Sequence, residues 1–209
     1  MKPILTFFLL LLISPVGAQR FGAGAILGLN ASQIDGDNQF GYRQFGPAVG
    51  LRGIAHLSDR VDLQVELLYS RRGSAARNQD SENPANPVDI NLQYAETPIL
   101  LGFKAIENWD GEYVLHFCSG FSYSRLLRSK VVAKRPNPAG PDDFSIPEIE
   151  KDFRRNELGW VVGTAYLPIP QLSIGLRHVL ALTPLYKGDV PGGKTLRSYY
   201  FQMQVAYQF

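Results

Sequence analysis

The chain has 209 residues, 45% of them hydrophobic, and its 21 Lys and Arg against 19 Asp and Glu leave a formal charge of +2. So close a balance implies no polyanion partner, and nucleic acid is not expected to bind. A single cysteine, Cys118, excludes an internal disulfide, and its small side chain is expected to fill an interior gap.

The first residues, MKPILTFFLLLLISPVGAQR, place one Lys before an apolar run from Ile4 to Ile13, followed by Val16-Gly17-Ala18. That is the layout of a secretory signal peptide cleaved after Ala18. Residues 1–18 are therefore expected as the signal and 19–209 as one mature domain. The run is shorter than the roughly 20 residues a spanning helix needs, and no later stretch reaches that length. If the mature chain enters a membrane, it must do so as a closed barrel.

Eight alternating segments follow, each with two different faces. The first, Phe21 to Ser32, sets Phe21, Ala23, Ala25, Leu27 and Leu29 against Gly22, Gly24, Gly28 and Asn30. The second, from about Phe45 to Leu57, opposes Val49 and Leu51 to Ala48, Gly50 and Arg52. In the third, Arg60 to Gly73, Val61, Leu63, Val65, Leu67 and Tyr69 alternate with Asp62, Gln64, Glu66 and Ser70. The fourth, about Val88 to Ala105, changes phase between Leu92 and Tyr94 and the later Ile99, Leu101 and Phe103. A bulge at Glu96-Thr97-Pro98 is expected to absorb the extra residue.

The fifth segment, Gly111 to about Ser129, sets Tyr113, Leu115, Phe117, Phe121 and Tyr123 against His116, Cys118, Gly120 and Ser122. The sixth, Asn156 to Leu167, carries Leu158, Trp160, Val162 and Tyr166 on one face and Gly159, Gly163 and Ala165 on the other. The seventh, Gln171 to about Leu182, opposes Leu172, Ile174 and Leu176 to Ser173, Gly175 and Arg177. The last, Arg197 to Phe209, alternates aromatic and aliphatic residues with glutamines and ends on an aromatic.

Connections after the second, fourth and sixth segments are short: Leu57 to Arg60, Ile106 to Asp110 and Pro168 to Pro170. The others are long, polar and rich in Pro, Gly and Asn. Strict alternation of short and long puts all short turns at one end of an up-and-down order, as in outer-membrane barrels with short periplasmic turns and long external loops.

Two environments compete for the apolar face: a soluble core or lipid. Most segments supply the 9 to 11 or so residues of a tilted membrane strand. Tyr69, Tyr94, Tyr113, Tyr123, Trp160, Tyr166, Tyr199 and Tyr207 gather near segment ends, where amphipathic rings suit a membrane interface. The opposite face carries small residues with Arg52, Glu66, Glu96, Arg177, Gln202 and Gln204. Unpaired charges make a poor soluble core. Within a narrow bore they can pair, so Arg52, Glu66, Glu96 and Arg177 are expected to form a salt-bridged structural plug. A gated polar pathway is the functional alternative. The fold class expected is all-β, an eight-stranded up-and-down antiparallel transmembrane barrel of the bacterial outer membrane.

Catalytic patterns are sparse. His56 falls at a short turn, His116 in the bore near that end and His178 on the outward register near the other, so a shared metal site is not expected. No His-Glu-x-x-His, Gly-x-Ser-x-Gly or phosphate-cradling loop occurs. No catalytic residue, metal ligand or cofactor is therefore assigned. Arg71, Arg72, Arg125, Arg128, Lys130, Arg154 and Arg155 are placed at the external rim. They serve there either as contacts for anionic lipopolysaccharide or as ordinary solvated charge.

Three stretches carry a resemblance. GAILGLNASQI, with Gly28-Leu29-Asn30, VELLYSRRG, with Glu66, Tyr69-Ser70 and Gly73, and LQYAETPILLGFK, with Tyr94, Glu96 and Pro98, are similar to the PorT-like outer-membrane β-barrel family of Bacteroidota, small barrels of the OmpA/OmpX kind. Thr97 stands where an apolar β-branched residue is more usual in that family. The resemblance implies an eight-stranded outer-membrane barrel and little else. The expected protein is a monomer with a filled, non-conducting lumen, not an enzyme, acting structurally or through its external loops. Its expected partners are outer-membrane lipid and lipopolysaccharide. The alternatives are a component of a secretion or transport assembly, contacting secretion-machinery proteins, and, third, an outer-membrane enzyme.

Overall fold

The computed structural model describes residues 21–36, 41–75, 88–134, 143–145, 150–186 and 195–209. The expected signal peptide lies outside the described residues. The strands are β1 (Phe21–Asp35), β2 (Gln44–His56), β3 (Val61–Ser74), β4 (Val88–Glu107), β5 (Tyr113–Lys134), β6 (Asp143–Ser145), β7 (Asn156–Ile169), β8 (Leu172–Ala181) and β9 (Arg197–Gln208). Eight of them match the eight alternating segments. β6 is a three-residue addition that pairs with the outer end of β5.

Every neighbouring pair is antiparallel. β1 pairs with both β2 and β9, and β4 pairs with β5, so the ladder returns on itself. Closure leaves the eight long strands without a free edge over their shared length, the condition for a sheet in lipid. The protein is a closed eight-stranded antiparallel barrel.

Short turns cluster at one end of the barrel. At the β4–β5 turn, Asn108 Oδ1 accepts from the backbone N–H groups of Asp110 at 3.0 Å and Glu112 at 2.8 Å. Gly111 sits at φ +80°, a conformation that strains other residues. At the β2–β3 turn, Leu57 N–H donates to Val61 C=O at 2.9 Å. The first described residue of β1 and the end of β9 lie at this same end, where Phe209 N–H donates to Ala23 C=O.

Alternation separates the faces as the pattern demands. Leu27, Leu51, Val65, Leu67, Ile99, Leu101, Phe121, Leu176, Met203 and Val205 all project outward and are exposed. Such a continuous apolar belt is far larger than a water-soluble monomer carries, and it suits hydrocarbon. Tyr123, Trp160, Tyr166 and Tyr207 stand on this outer face. Tyr94 does not: it is buried in the bore, contrary to its expected place at a membrane interface.

The same strand overturns the expected bulge. Ile90, Leu92, Tyr94, Glu96, Pro98, Leu100 and Gly102 all face inward without a change of phase. Pairing of β3 with β4 keeps one register from Val65↔Ile99 to Leu68↔Glu96. The irregularity lies instead against β5, between Gln93 and Tyr94, with further shifts between Lys104 and Glu107. Leu92 and Tyr94 look like lipid-facing residues because they are apolar. They occupy a stretch of the bore that is itself apolar.

That stretch is a small core at the long-loop end. Ile34, Ile90, Leu92, Tyr94, Val131, Phe153, Leu185 and Leu196 pack together there. Loop backbone joins it: Arg154 N–H donates to Leu185 C=O, and Leu185 N–H to Leu196 C=O, each at 2.8 Å. Deeper in the bore, Leu100, Val161, Val179 and Tyr200 form a second apolar group, with Cys118 packed against it.

Candidate functional site

The inward positions between these apolar groups carry charge, and they meet in two layers. The layer nearer the short turns joins β2, β3, β8 and β9. Arg177 donates from Nη1 to Glu66 Oε2 at 2.7 Å and from Nη2 to Glu66 Oε1 at 2.8 Å. Arg52 donates from Nε to Glu66 Oε1 at 2.7 Å. The fork-on-carboxylate geometry makes the Arg177 contact the stronger of the two. With its amide oxygen turned toward the guanidiniums, Gln204 accepts from Arg52 Nη2 at 2.8 Å and from Arg177 Nη2 at 3.1 Å.

Local sequence makes room for this. Gly163 pairs with Arg177 on the neighbouring strand, and a Cβ there would lie 2.6 Å from Arg177 Cγ. Glycine lets the arginine stem lie flat on the wall and extend across the bore.

The second layer lies toward the loops. Arg72 follows Glu66 on β3, about 20 Å further along at roughly 3.3 Å per residue. It donates from Nη2 to Glu157 Oε1 at 2.9 Å and from Nη1 to Glu96 Oε2 at 3.3 Å. Its guanidinium carbon lies 4.1 Å from the Tyr94 ring centroid and 4.6 Å from that of Tyr200. Both contacts are cation–π interactions in a desolvated site, where they are strongest. The hydroxyls of Tyr200 and Ser122 each donate to Glu96 Oε1 at 2.6 Å, and Tyr94 donates to Glu157 Oε2 at 3.3 Å. Arg72 is only 1% exposed.

The four expected plug residues therefore divide. Arg52, Glu66 and Arg177 share one layer, while Glu96 belongs to the other with Arg72. Arg72 is corrected from a rim cation to the centre of the second layer. The remaining rim cations differ from it: Arg71 is half-buried and donates to Asn91 Oδ1 at 2.8 Å, while Arg125, Arg128, Lys130, Arg154 and Arg155 are exposed. Sequence reasoning missed Glu157, Tyr94 and Tyr200 as network members. Parity held the signal for Arg72, Glu157 and Tyr200, though not for the apolar ring of Tyr94. Arg72 shares the even phase of Glu66 and Ser70, Glu157 the odd phase of Gly159 and Gly163, and Tyr200 the even phase of Gln202 and Gln204.

The motif residues also find physical roles. Asn30 Nδ2 reaches across β2 to Ser70 Oγ at 2.9 Å and Arg71 C=O at 3.0 Å. Ser32 Oγ accepts from Gly73 N–H at 2.8 Å and donates to Gly73 C=O at 3.0 Å. These bonds satisfy β3 backbone where its pairing with β2 has ended at Ala48↔Ser70. Gly46 on β2 permits this close approach, since a Cβ there would collide with Arg71 C=O.

The histidines do not share one site. His178 lies on the outer face, stacked on Phe201 with ring centroids 4.4 Å apart and 3.2 Å from the Tyr42 hydroxyl. His56 and His116 do come together more than expected, lining one chamber of about 370 Å³ at the short-turn end. His56 Nδ1 lies 2.6 Å from Asp62 Oδ1, which also holds Lys104 Nζ at 3.4 Å. Among the described residues, no group of three His, Cys, Asp or Glu side chains is placed to hold a metal ion.

Comparison with known proteins agrees with this geometry. A family described as "Outer membrane protein beta-barrel domain" matches residues 15–187. Among solved structures, the chain is similar to Ail, the attachment invasion locus protein of Yersinia pestis, at 14% identity and a TM-score of 0.49, covering 90% of this chain and 99% of that one. It is similar to Neisserial surface protein A at 16% identity and a TM-score of 0.46, covering 90% and 97%. It is also similar to OprG of Pseudomonas aeruginosa at 10% identity and a TM-score of 0.42, covering 90% and 94%. No curated protein matches the chain. With the family match spanning most of its length, the chain belongs to the outer membrane protein β-barrel domain family and is a protein of the bacterial outer membrane.

Proposed function

We propose that this is a monomeric outer-membrane barrel with a closed, non-conducting lumen, a non-enzyme that acts structurally or by binding at its external end. The observation that carries the reading is the pair of charged layers, each linking opposite walls of the bore, with an apolar core above the upper one. A through-path for ions would have to break both layers, and buried ion pairs are strongly disfavoured once one partner is left alone. Planar-bilayer recording of the purified protein tests this. The expected result is an unbroken baseline, and steady conductance steps would reject it.

The same proposal takes residues 1–18 as a cleaved signal and outer-membrane lipid, including lipopolysaccharide, as the surrounding partner. The exposed rim cations Arg125, Arg128, Arg154 and Arg155 support that contact. The PorT-like resemblance supports the barrel interior more than an assembly role. Asn30, Glu66, Ser70, Tyr94 and Glu96 carry that resemblance and all point into the bore, where no partner protein reaches them. Purification from native membranes separates the two readings: a stoichiometric partner protein would favour a secretion assembly.

A further inference from the structure

We propose that the chamber at the periplasmic end of the bore is a binding site for a small soluble oxyanion, a phosphate or carboxylate group, with Arg52 as its principal contact. The chamber of about 370 Å³ has Glu112, Pro170 and Gln171 of the short turns in its lining and Arg52, Arg177 and Gln204 at its inner end. Its size falls in the lower range of small-molecule sites.

Charge is the first argument. The layer that closes the chamber sets two guanidiniums against one carboxylate. Arg177 takes both oxygens of Glu66, whereas Arg52 spends only Nε on it. Arg52 is 9% exposed, and the other acid deep in the chamber, Asp62, is occupied by His56 and Lys104. Within this inner layer one positive charge is therefore left in excess beside an open space, while the remaining acid of the lining, Glu112, is exposed at the short turns. A cation in such a setting gains most from a charge-assisted bond to an anion. The upper layer has the opposite balance, one guanidinium for Glu96 and Glu157.

The second argument is independent of charge. His116 lines the same chamber, and its Nε2 is buried without a hydrogen-bond partner. Buried polar atoms are nearly always satisfied, and an imidazole ring turned to bring a protonated Nε2 to the chamber would donate to an oxygen of the bound anion. Thr164, Ala165 and Ser173 form small stretches of the wall and leave the space free. The blind inner end makes this a binding site and not a pathway, which keeps it compatible with a closed lumen.

The test is a titration of the purified barrel in a phosphate-free micelle such as lauryldimethylamine oxide. Inorganic phosphate and citrate are added separately, each against sodium chloride at matched ionic strength. Amide shifts of Gly24, Cys118, Ala165 and Ala206 report the chamber. The expected result is saturable shifts with at least one of the two oxyanions, weakened about tenfold or more in Arg52→Gln, as expected for loss of a charge-assisted bond. Arg52→Gln leaves the Arg177–Glu66 fork intact, so the variant should fold, which heat-modifiable gel mobility verifies. Lys104→Gln, further from the excess charge, should weaken binding less. Shifts no larger than with chloride, or equal affinity in Arg52→Gln, would overturn the site. Occupancy by added phosphatidylglycerol alone would overturn the soluble-anion assignment.

Discussion

Arg177 and Glu66 stand 111 positions apart in the chain, yet their side chains form a two-pronged ion pair across the bore, at 2.7 and 2.8 Å. The contact ties β8 to β3, strands on different walls of the barrel. Its strength comes from burial and fit together: both partners are almost fully removed from water. A charge left alone in that place regains only the little solvent that the short-turn chamber holds.

Glu66→Ala therefore strands two arginines and should destabilise the barrel by about 3–5 kcal/mol, the usual loss when one member of a buried pair is removed. Arg52→Gln should be much milder, because the neutral Arg177–Glu66 fork survives. Urea unfolding from lipid vesicles measures both. Equal losses in the two variants would contradict the assignment of the fork as the dominant contact.

Arg72→Lys should fail as a conservative change. An ammonium cannot bond Glu96 and Glu157 through separate prongs while lying flat between the rings of Tyr94 and Tyr200. A loss of roughly 2 kcal/mol or more is expected in the same unfolding assay, with partial loss of the near-ultraviolet tyrosine signal. Stability unchanged within error would show that the layer needs only a positive charge.

Asn30→Leu keeps the bulk but removes the bonds to Ser70 Oγ and Arg71 C=O. Leaving these buried acceptors unmet costs about 1–3 kcal/mol. Hydrogen exchange should rise in the loop-side half of β3 and stay unchanged near its short-turn end. Uniform exchange along β3 would argue against a local role for this bridge.

On the outer face, Leu67 sits midway along β3 and is well exposed. Leu67→Arg should cost about 2–4 kcal/mol in a bilayer, as charge does on the lipid face at midplane. The same charge near an interface, as at Tyr207→Arg, should cost less, about 0–1 kcal/mol. A reversed order, read by refolding into vesicles, would mean that the belt is not centred in hydrocarbon.

Much of this molecule is legible along the chain. The signal lies in residues such as Val61, Leu63, Val65 and Leu67 set against Asp62, Gln64 and Glu66, because a strand shows its two environments at every second residue. Short connections at Leu57–Arg60 and Pro168–Pro170 likewise announce antiparallel neighbours. Parity alone, however, cannot say whether an apolar residue meets lipid or an apolar part of the bore. Leu92 and Tyr94 read as lipid-facing for that reason, and the expected bulge at Glu96-Thr97-Pro98 follows from the same ambiguity.

By itself, then, the sequence determined the strand count, the two faces, the alternation of short and long connections and the inward direction of Arg52, Glu66, Glu96 and Arg177. All of these are local, set by period and spacing. Only the closed barrel decided which charges meet, sending Glu96 to Arg72 and Glu157 and leaving Arg52 beside an open chamber. Pairing across a bore depends on the height at which each strand crosses it and on which walls face each other. Strand register and closure set those quantities, and they are properties of the whole sheet.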